Sequence, residues 1–251
     1  MDKRIGAQYF TIRDFCRDKK GFDESCRRVA EIGYKTVQLS GIGDFEPEFI
    51  KEVLDTYGLE AVCTHRPFAD FEENFDELVK YHNVTGCRYA GLGCMPGFSS
   101  EPEVIDAFVK KYRPIAKRLA DSGLTLTYHN HAFEFEKING RYVFDIIAES
   151  VDNMEFILDV YWLSYAGINP VKFIEKYKGK IACVHFKDIA VYKNQIEMAE
   201  VMEGNIDWDD VIRACINADV KYAFVEQDVC RRDPFESLKI SYDNLHTKGF
   251  I

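Results

Sequence analysis

Two histidines, an asparagine and two glutamates crowd the end of the run Leu124 to Glu136, LTLTYHNHAFEFE. Imidazoles and carboxylates bind divalent metals and move protons near neutral pH, so this stretch is the first candidate for chemistry. Leu124 to Tyr128 is apolar or β-branched behind Gly123 and reads as a buried strand. Strand alternation then puts His129 and His131 on one face, with Tyr128 and Asn130 on the other, and Glu134 follows. Three later apolar runs end in the same kind of residue. FILDV ends at Asp159, IACVHFKD brings His185 and Lys187 to one face with Asp188 beyond, and YAFVEQD reaches Glu226. An earlier run, LEAVCT, finishes at His65.

Each of these residues has an ordinary structural use: Asp159 as a cap, His185 in packing, Glu226 paired with a surface lysine. Glu134, Asp159 and Glu226 together do not. Carboxylates converging at about 4 Å repel by roughly 4 kcal/mol per pair at an effective dielectric of 20. Lys187 neutralises only one of them and is expected to be a substrate-facing or supporting charge. A divalent metal answers the whole set, and three oxygen donors with one imidazole suit Mn, Mg, Co or Zn.

The elements that must position these side chains alternate regularly. Strands are expected at Ile5 to Phe10, Tyr34 to Leu39, Leu59 to Thr64, Cys87 to Leu92, the Leu124 run, Phe156 to Val160, Ile181 to Phe186 and Tyr222 to Val225. Helical stripes lie between them. Asp23 is expected to cap the first helix, Pro47 to start the second, Asn169-Pro170 and Asp233-Pro234 to open later ones, and Pro114 to kink or restart a long one. His82 lies on an apolar helical stripe and reads as packing. Ile189 to Asp207 reads as a long loop which, with Gly93 to Glu101, closes over a substrate. Eight strand–helix units in 251 residues predict one (β/α)8 TIM barrel over residues 1–251, with catalytic groups at the carboxyl ends of the strands. An open nucleotide-binding sheet is disfavoured, because the first βα turn lacks G-x-G-x-x-G and Gly41-Ile42-Gly43 is an isolated G-x-G.

Bulk composition narrows the partners. With 32 basic and 42 acidic residues the net charge is -10, which repels a nucleic-acid backbone. The eight cysteines form no C-x-x-C pair, and Cys63, Cys87 and Cys183 sit among strand residues, as free thiols in a reducing compartment would. MDKRIGAQYF has no apolar signal core and no run approaches the roughly 18 apolar residues of a membrane span. A cytoplasmic protein is expected, without nucleic-acid or membrane partners; a homo-oligomer is compatible with all of this.

The blocks IGAQYFTIRD, YHNHAFEF, LDVYWLSYAG, VHFKD, EGNIDW, VEQD and DPFESLKISYDNL resemble the xylose isomerase-like TIM-barrel superfamily, specifically its sugar phosphate isomerase/epimerase branch, nearly end to end. The resemblance implies one divalent metal held by Glu134, Asp159, His185 and Glu226. It also implies a sugar substrate, since relatives include ketose epimerases, an inosose dehydratase and enzymes acting on 3-keto-sugars. The chain departs from many epimerases at strand five, where Thr125 and Thr127 share the histidine-facing side and Glu134 follows the strand, so that His129 or His131 is an alternative ligand. A metal chelating a carbonyl and its neighbouring hydroxyl acidifies the proton between them. With Glu134 or a strand-five histidine on one side and Glu226 on the other, an isomerase or epimerase working through an enediolate is expected. Expulsion of a β-substituent, with His129 and His131 serving the leaving oxygen, makes a lyase the alternative. His65, Trp162, Tyr9 and Phe133 are the expected substrate contacts. An AP endonuclease-like site is disfavoured: the position three after Asp159 is Trp162 rather than histidine, and no Asp-x-His follows His185. Presence of all four metal positions argues against a non-catalytic sugar-binding barrel.

Overall fold

The computed structural model describes residues 1–251. Eight parallel strands, numbered β1 to β8, pair in chain order and close on themselves. They are β1 (Ile5–Gln8), β2 (Thr36–Leu39), β3 (Glu60–Thr64), β4 (Tyr89–Leu92), β5 (Thr125–His129), β6 (Met154–Asp159), β7 (Ile181–Phe186) and β8 (Tyr222–Val225). β1 bonds to both β2 and β8, which leaves no open edge. Both faces of the strands are covered, one by the barrel interior and one by the outer helices. In β7 all six residues are therefore buried.

The helix signals act where their chemistry allows. Pro47, Pro102, Pro170 and Pro234 occupy first helical positions, where a missing N–H costs nothing. Asn169 and Asp233 accept the orphan N–H groups of Lys172 and Phe235. The first helix, however, starts earlier than expected: Asp18, not Asp23, caps Lys19–Ile32 by accepting from Gly21 N at 2.8 Å. Asp23 instead accepts from Tyr57 Oη. Helix Pro102–Asp121 runs unbroken through Pro114. Pro114 and Lys110, whose carbonyl loses its partner, are both exposed, so water replaces that bond.

Ile189 to Asp207 is not a plain loop. Asp188–Tyr192 pairs antiparallel with Gln195–Ala199, turning through Lys193 and Asn194 in left-handed conformation at φ 47° and 61°. Asp188 roots this hairpin. Its carboxylate accepts the N–H groups of Ile189, Met202, Gly204 and Ile206 at 2.7 to 3.2 Å, and Trp208 Nε1 at 2.5 Å. Of the two segments expected over the substrate, only the first borders the cavity at the barrel mouth, through Gly93, Cys94 and Phe98.

His65 sits where it does because β4 lets β3 come close. A Cβ on Gly91 would lie 2.1 Å from the Thr64 carbonyl oxygen and 3.2 Å from His65 Cδ2. Backbone cannot yield as a flexible side chain can, so only glycine fits. Gly91→Ala is expected to lower the unfolding free energy by about 2 kcal/mol or more, measured by urea denaturation. Wild-type stability in that variant would contradict the packing described.

Candidate metal centre

Period-two alternation carries the site. On β6, Ile157 and Asp159 point into the barrel; on β7, Cys183 and His185, with Lys187 just past its end; on β8, Phe224, with Glu226 and Asp228 continuing the series beyond it. The lower layer is apolar, with Cys63, Ile157, Cys183 and Phe224 in one buried cluster. Above it one donor atom from each of His129, Asp159, His185 and Glu226 lies within 4.8 Å of the others, all four residues being buried.

Outer hydrogen bonds decide which lone pairs face inward. His129 Nδ1 is 3.0 Å from the Gly93 carbonyl, an acceptor only, so the ring proton sits there and Nε2 turns its lone pair toward Asp159 Oδ2 at 3.3 Å. His185 Nε2 is 2.7 Å from Gln38 Oε1, which likewise leaves Nδ1 as the inner atom. Nδ1 lies 2.8 Å from Glu226 Oε2 and 3.6 Å from Asp159 Oδ2, yet off the line that a hydrogen bond needs, and has no partner. Asp159 Oδ1 is occupied by Tyr161 N and Trp162 N, so Oδ2 remains for the centre. Two imidazole nitrogens and two carboxylate oxygens thus converge on one point.

Lys187 stands beside the quartet, fully buried, with Nζ 3.5 Å from both Asp159 Oδ2 and Glu226 Oε2 and 2.8 Å from Asp228 Oδ2. With His185 neutral, three carboxylates against one ammonium leave two negative charges. Burial disfavours charge on His185, but Glu226 and Asp159 overcome it and hold the ring up to about 9, so a proton sits on Nδ1 until a cation displaces it. Burial likewise opposes the charged form of Asp159, which Lys187 and the histidines hold well below the ordinary range. The arrangement attracts a cation, and a buried His, Asp, His and Glu group of this geometry could hold a divalent metal, whose two charges balance the remaining two.

Glu134 is the correction. It is fully buried but faces away from the quartet, accepting from Tyr128 Oη at 2.7 Å and His131 N at 2.8 Å. It ties the turn after β5 to the strand, and His129 takes the strand-five position. The quartet therefore has two imidazoles and two oxygen donors. Tyr9 is likewise not at the substrate cavity: it is buried in the core against Phe22, its hydroxyl 3.3 Å from Cys26 Sγ. His65, His129, His131 and Glu226 do border the cavity, about 730 Å³ in volume, whereas Lys187 lies behind it. Trp162 packs 5.3 Å from the His131 ring, and both Trp162 Nε1 and His131 Nδ1 are buried without partners. Phe133 stacks beyond His131, and Phe98 meets both edge-on. His82 packs as expected, bonded to Thr64 Oγ1 and the Leu78 carbonyl. Asp228 and Gln38 escaped the sequence reading, although Asp228 shares the alternation of Glu226 and Gln38 is a glutamine inside an apolar strand.

The model of the xylose isomerase-like TIM barrel family matches residues 26–227. The chain belongs to that family. An inosose dehydratase from Bacillus cereus is 25% identical over 86% of this xylose isomerase-like chain and 85% of its own length. Among solved structures, a sugar phosphate isomerase/epimerase from Parabacteroides distasonis superposes with a TM-score of 0.83 at 18% identity, covering 100% of this chain and 98% of that one. A probable 3-DHS dehydratase from Bacillus anthracis superposes at 0.74 with 17% identity, over 98% and 99%. These likenesses make the barrel that of a family of enzymes. No helix of this barrel is long and apolar enough to cross a membrane.

The buried Glu134 has a readable signature. Burial raises its carboxyl from the usual 4.5 to about 7 despite its two hydrogen bonds. Below 4.5 the folded and unfolded chains both hold this proton; between 4.5 and 7 only the folded chain does, so stability falls as pH rises through that window and levels above it. The loss amounts to about 3 kcal/mol. In Glu134→Gln the amide oxygen accepts from His131 N and the amide nitrogen donates to Tyr128 Oη, so this contribution disappears. Denaturant unfolding from pH 5 to 8 should show a shallower slope in the variant; equal slopes would refute the assignment.

Proposed function

We propose that this family member is a divalent-metal-dependent dehydratase or related lyase acting on an uncharged keto-sugar or keto-polyol. The asymmetry of the quartet carries the reading. β5 contributes an imidazole, and Asp159 has one oxygen committed to the helix that follows it, so Glu226 is the one carboxylate of the four that also borders the cavity. Moving a proton between the two faces of one carbon needs a base on each face, whereas elimination needs one base and a hydrogen-bonding group for the departing oxygen. The cavity lining also presents His65 and His131, two imidazoles able to hydrogen-bond a departing oxygen. The likeness to inosose dehydratases over most of both chains supports the same outcome.

A divalent ion held by His129, Asp159, His185 and Glu226 would polarise a substrate carbonyl oxygen and acidify the neighbouring C–H. Two imidazole donors shift the choice among Mn, Mg, Co and Zn away from Mg, which prefers oxygen ligands. Glu226 takes the acidified proton. The C–H electron pair becomes the new double bond, the β C–O bond breaks, and the departing hydroxide and the abstracted proton together form one water. His131, held neutral by burial that lowers it to about 3, borders the cavity and hydrogen-bonds the leaving oxygen.

Charge in the cavity selects against phosphate. Asp44, Asp70, Glu226 and Asp228 border it with a single cation, Arg66. Arg66 is already engaged, with Nε 2.7 Å from Asp70 Oδ2 and its guanidinium 4.3 Å over the Tyr81 ring. A neutral polyol can use these carboxylates as hydrogen-bond acceptors, and a phosphate meets repulsion.

His129→Ala and Glu226→Gln should each weaken metal binding by at least about tenfold, measured by equilibrium dialysis and elemental analysis, with Glu134→Gln keeping wild-type stoichiometry. Metal loss in Glu134→Gln alone would restore Glu134 as the ligand. Metal-loaded protein incubated with an inosose in D2O should give a product lighter than the substrate by one water. A product of unchanged formula carrying deuterium beside the carbonyl would instead establish an isomerase or epimerase. A phosphorylated keto-sugar should react with a kcat/KM at least about tenfold below its unphosphorylated counterpart, a gap of about 1.4 kcal/mol.

A further inference from the structure

We propose that Gln38 is a positioning residue that fixes the proton position on both His185 and His65, keeping His185 Nδ1 available to the ion and His65 protonated on Nδ1. The proposal rests on reading the quartet as a metal centre. Gln38 is fully buried on β2, with Oε1 2.7 Å from His185 Nε2 and Nε2 2.8 Å from His65 Nε2. One amide therefore bridges an imidazole of the quartet and an imidazole that borders the cavity, whose ring centroids are 5.9 Å apart.

An amide has one accepting and one donating end, and a neutral imidazole has one of each. A metal on His185 Nδ1 needs that lone pair, so the ring proton must be on Nε2. That N–H can only donate to Gln38 Oε1. The amide nitrogen of Gln38 then faces His65 and donates to His65 Nε2, which forces the His65 proton onto Nδ1. The reverse amide orientation would put an N–H donor against His185 Nε2, drive its proton to Nδ1 and fill the lone pair the ion requires.

His65 Nδ1 lies 3.3 Å from Ser40 Oγ and looks toward Gly93, where a Cβ would come within 3.3 Å of it; Ser40 and Gly93 both border the cavity. His65 thus carries an N–H at the cavity edge, where Ser40 Oγ is its acceptor, and does not accept a proton there. No charge moves: the bridge works through hydrogen-bond polarity alone.

The test uses the full chain labelled with 15N-histidine and loaded with Zn(II), the His65 signals being assigned by their loss in His65→Gln. Imidazole nitrogen shifts distinguish protonated from unprotonated positions directly. Zinc-loaded wild-type protein should show His65 protonated at Nδ1. Gln38→Glu supplies an acceptor to both rings, so His185 keeps its proton on Nε2 and zinc affinity is retained, while His65 switches its proton to Nε2. Gln38→Leu removes the acceptor, and zinc affinity should fall by about tenfold. If zinc-loaded wild-type protein carries the His65 proton on Nε2, or if His65 keeps one tautomer in wild type and Gln38→Glu, the assignment is wrong. Failure of wild-type protein to bind zinc, manganese or cobalt would instead overturn the metal-centre reading. The wild-type spectrum decides the proton position even if a variant does not fold.

Discussion

The structure turns on the repulsion of carboxylates buried together at the mouth of the barrel. Asp159, Glu226 and Asp228 share a region with one compensating ammonium, Lys187, and the nearby imidazoles turn their inner ring nitrogens toward them. In a site shielded from water such an excess costs several kcal/mol unless a cation completes it. Each surrounding contact is intelligible as a means of holding these groups at that position. The Gly93 carbonyl orients His129, the Gln38 amide orients His185, and the first N–H groups after β6 hold Asp159. Fixing ligands before an ion arrives spends folding energy in advance so that little reorganisation accompanies binding.

The rest of the barrel provides the stability that this concentration of charge consumes. Its lower interior and the shell between strands and helices are mainly apolar and close-packed. The polar layer is confined to the strand ends, where the cavity admits water and substrate. Around His131 the walls are aromatic: Trp162, Phe133 and Phe98 meet the ring from three sides. That surround keeps the imidazole neutral and suits the C–H faces of a sugar ring, while the acidic rim suits its hydroxyls.

Much of the fold was legible because its signals are local. Asn169-Pro170 and Asp233-Pro234 open helices through their own side chains and ring constraints, and β7 matches its apolar run from Ile181 to Phe186 residue for residue. Misreadings fell where a distant partner competes with a local rule. Asp18 outcompetes Asp23 because Tyr57 engages the latter from another helix. The hairpin after Asp188 was hidden because Lys193 and Asn194 make its turn without glycine, and because its root is a carboxylate gathering five donors across twenty residues. Tyr9 faced the core because β1 stops at Gln8 and a short 3-10 helix redirects the chain.

The sequence by itself determined the barrel and three of the four inward donors. Alternation along a strand is set by backbone geometry, so Asp159, His185 and Glu226 at the ends of apolar runs had to point to one interior. Only the tertiary structure places His129 rather than Glu134 among the converging donors, and it alone reveals Gln38 and Asp228 as their partners. The reason is that Glu134 lies beyond the strand, where periodicity no longer dictates direction. Its orientation follows from the Tyr128 hydroxyl and the His131 N–H, whereas His129 is the last residue of β5 and is held inward by the Gly93 carbonyl just past the neighbouring β4.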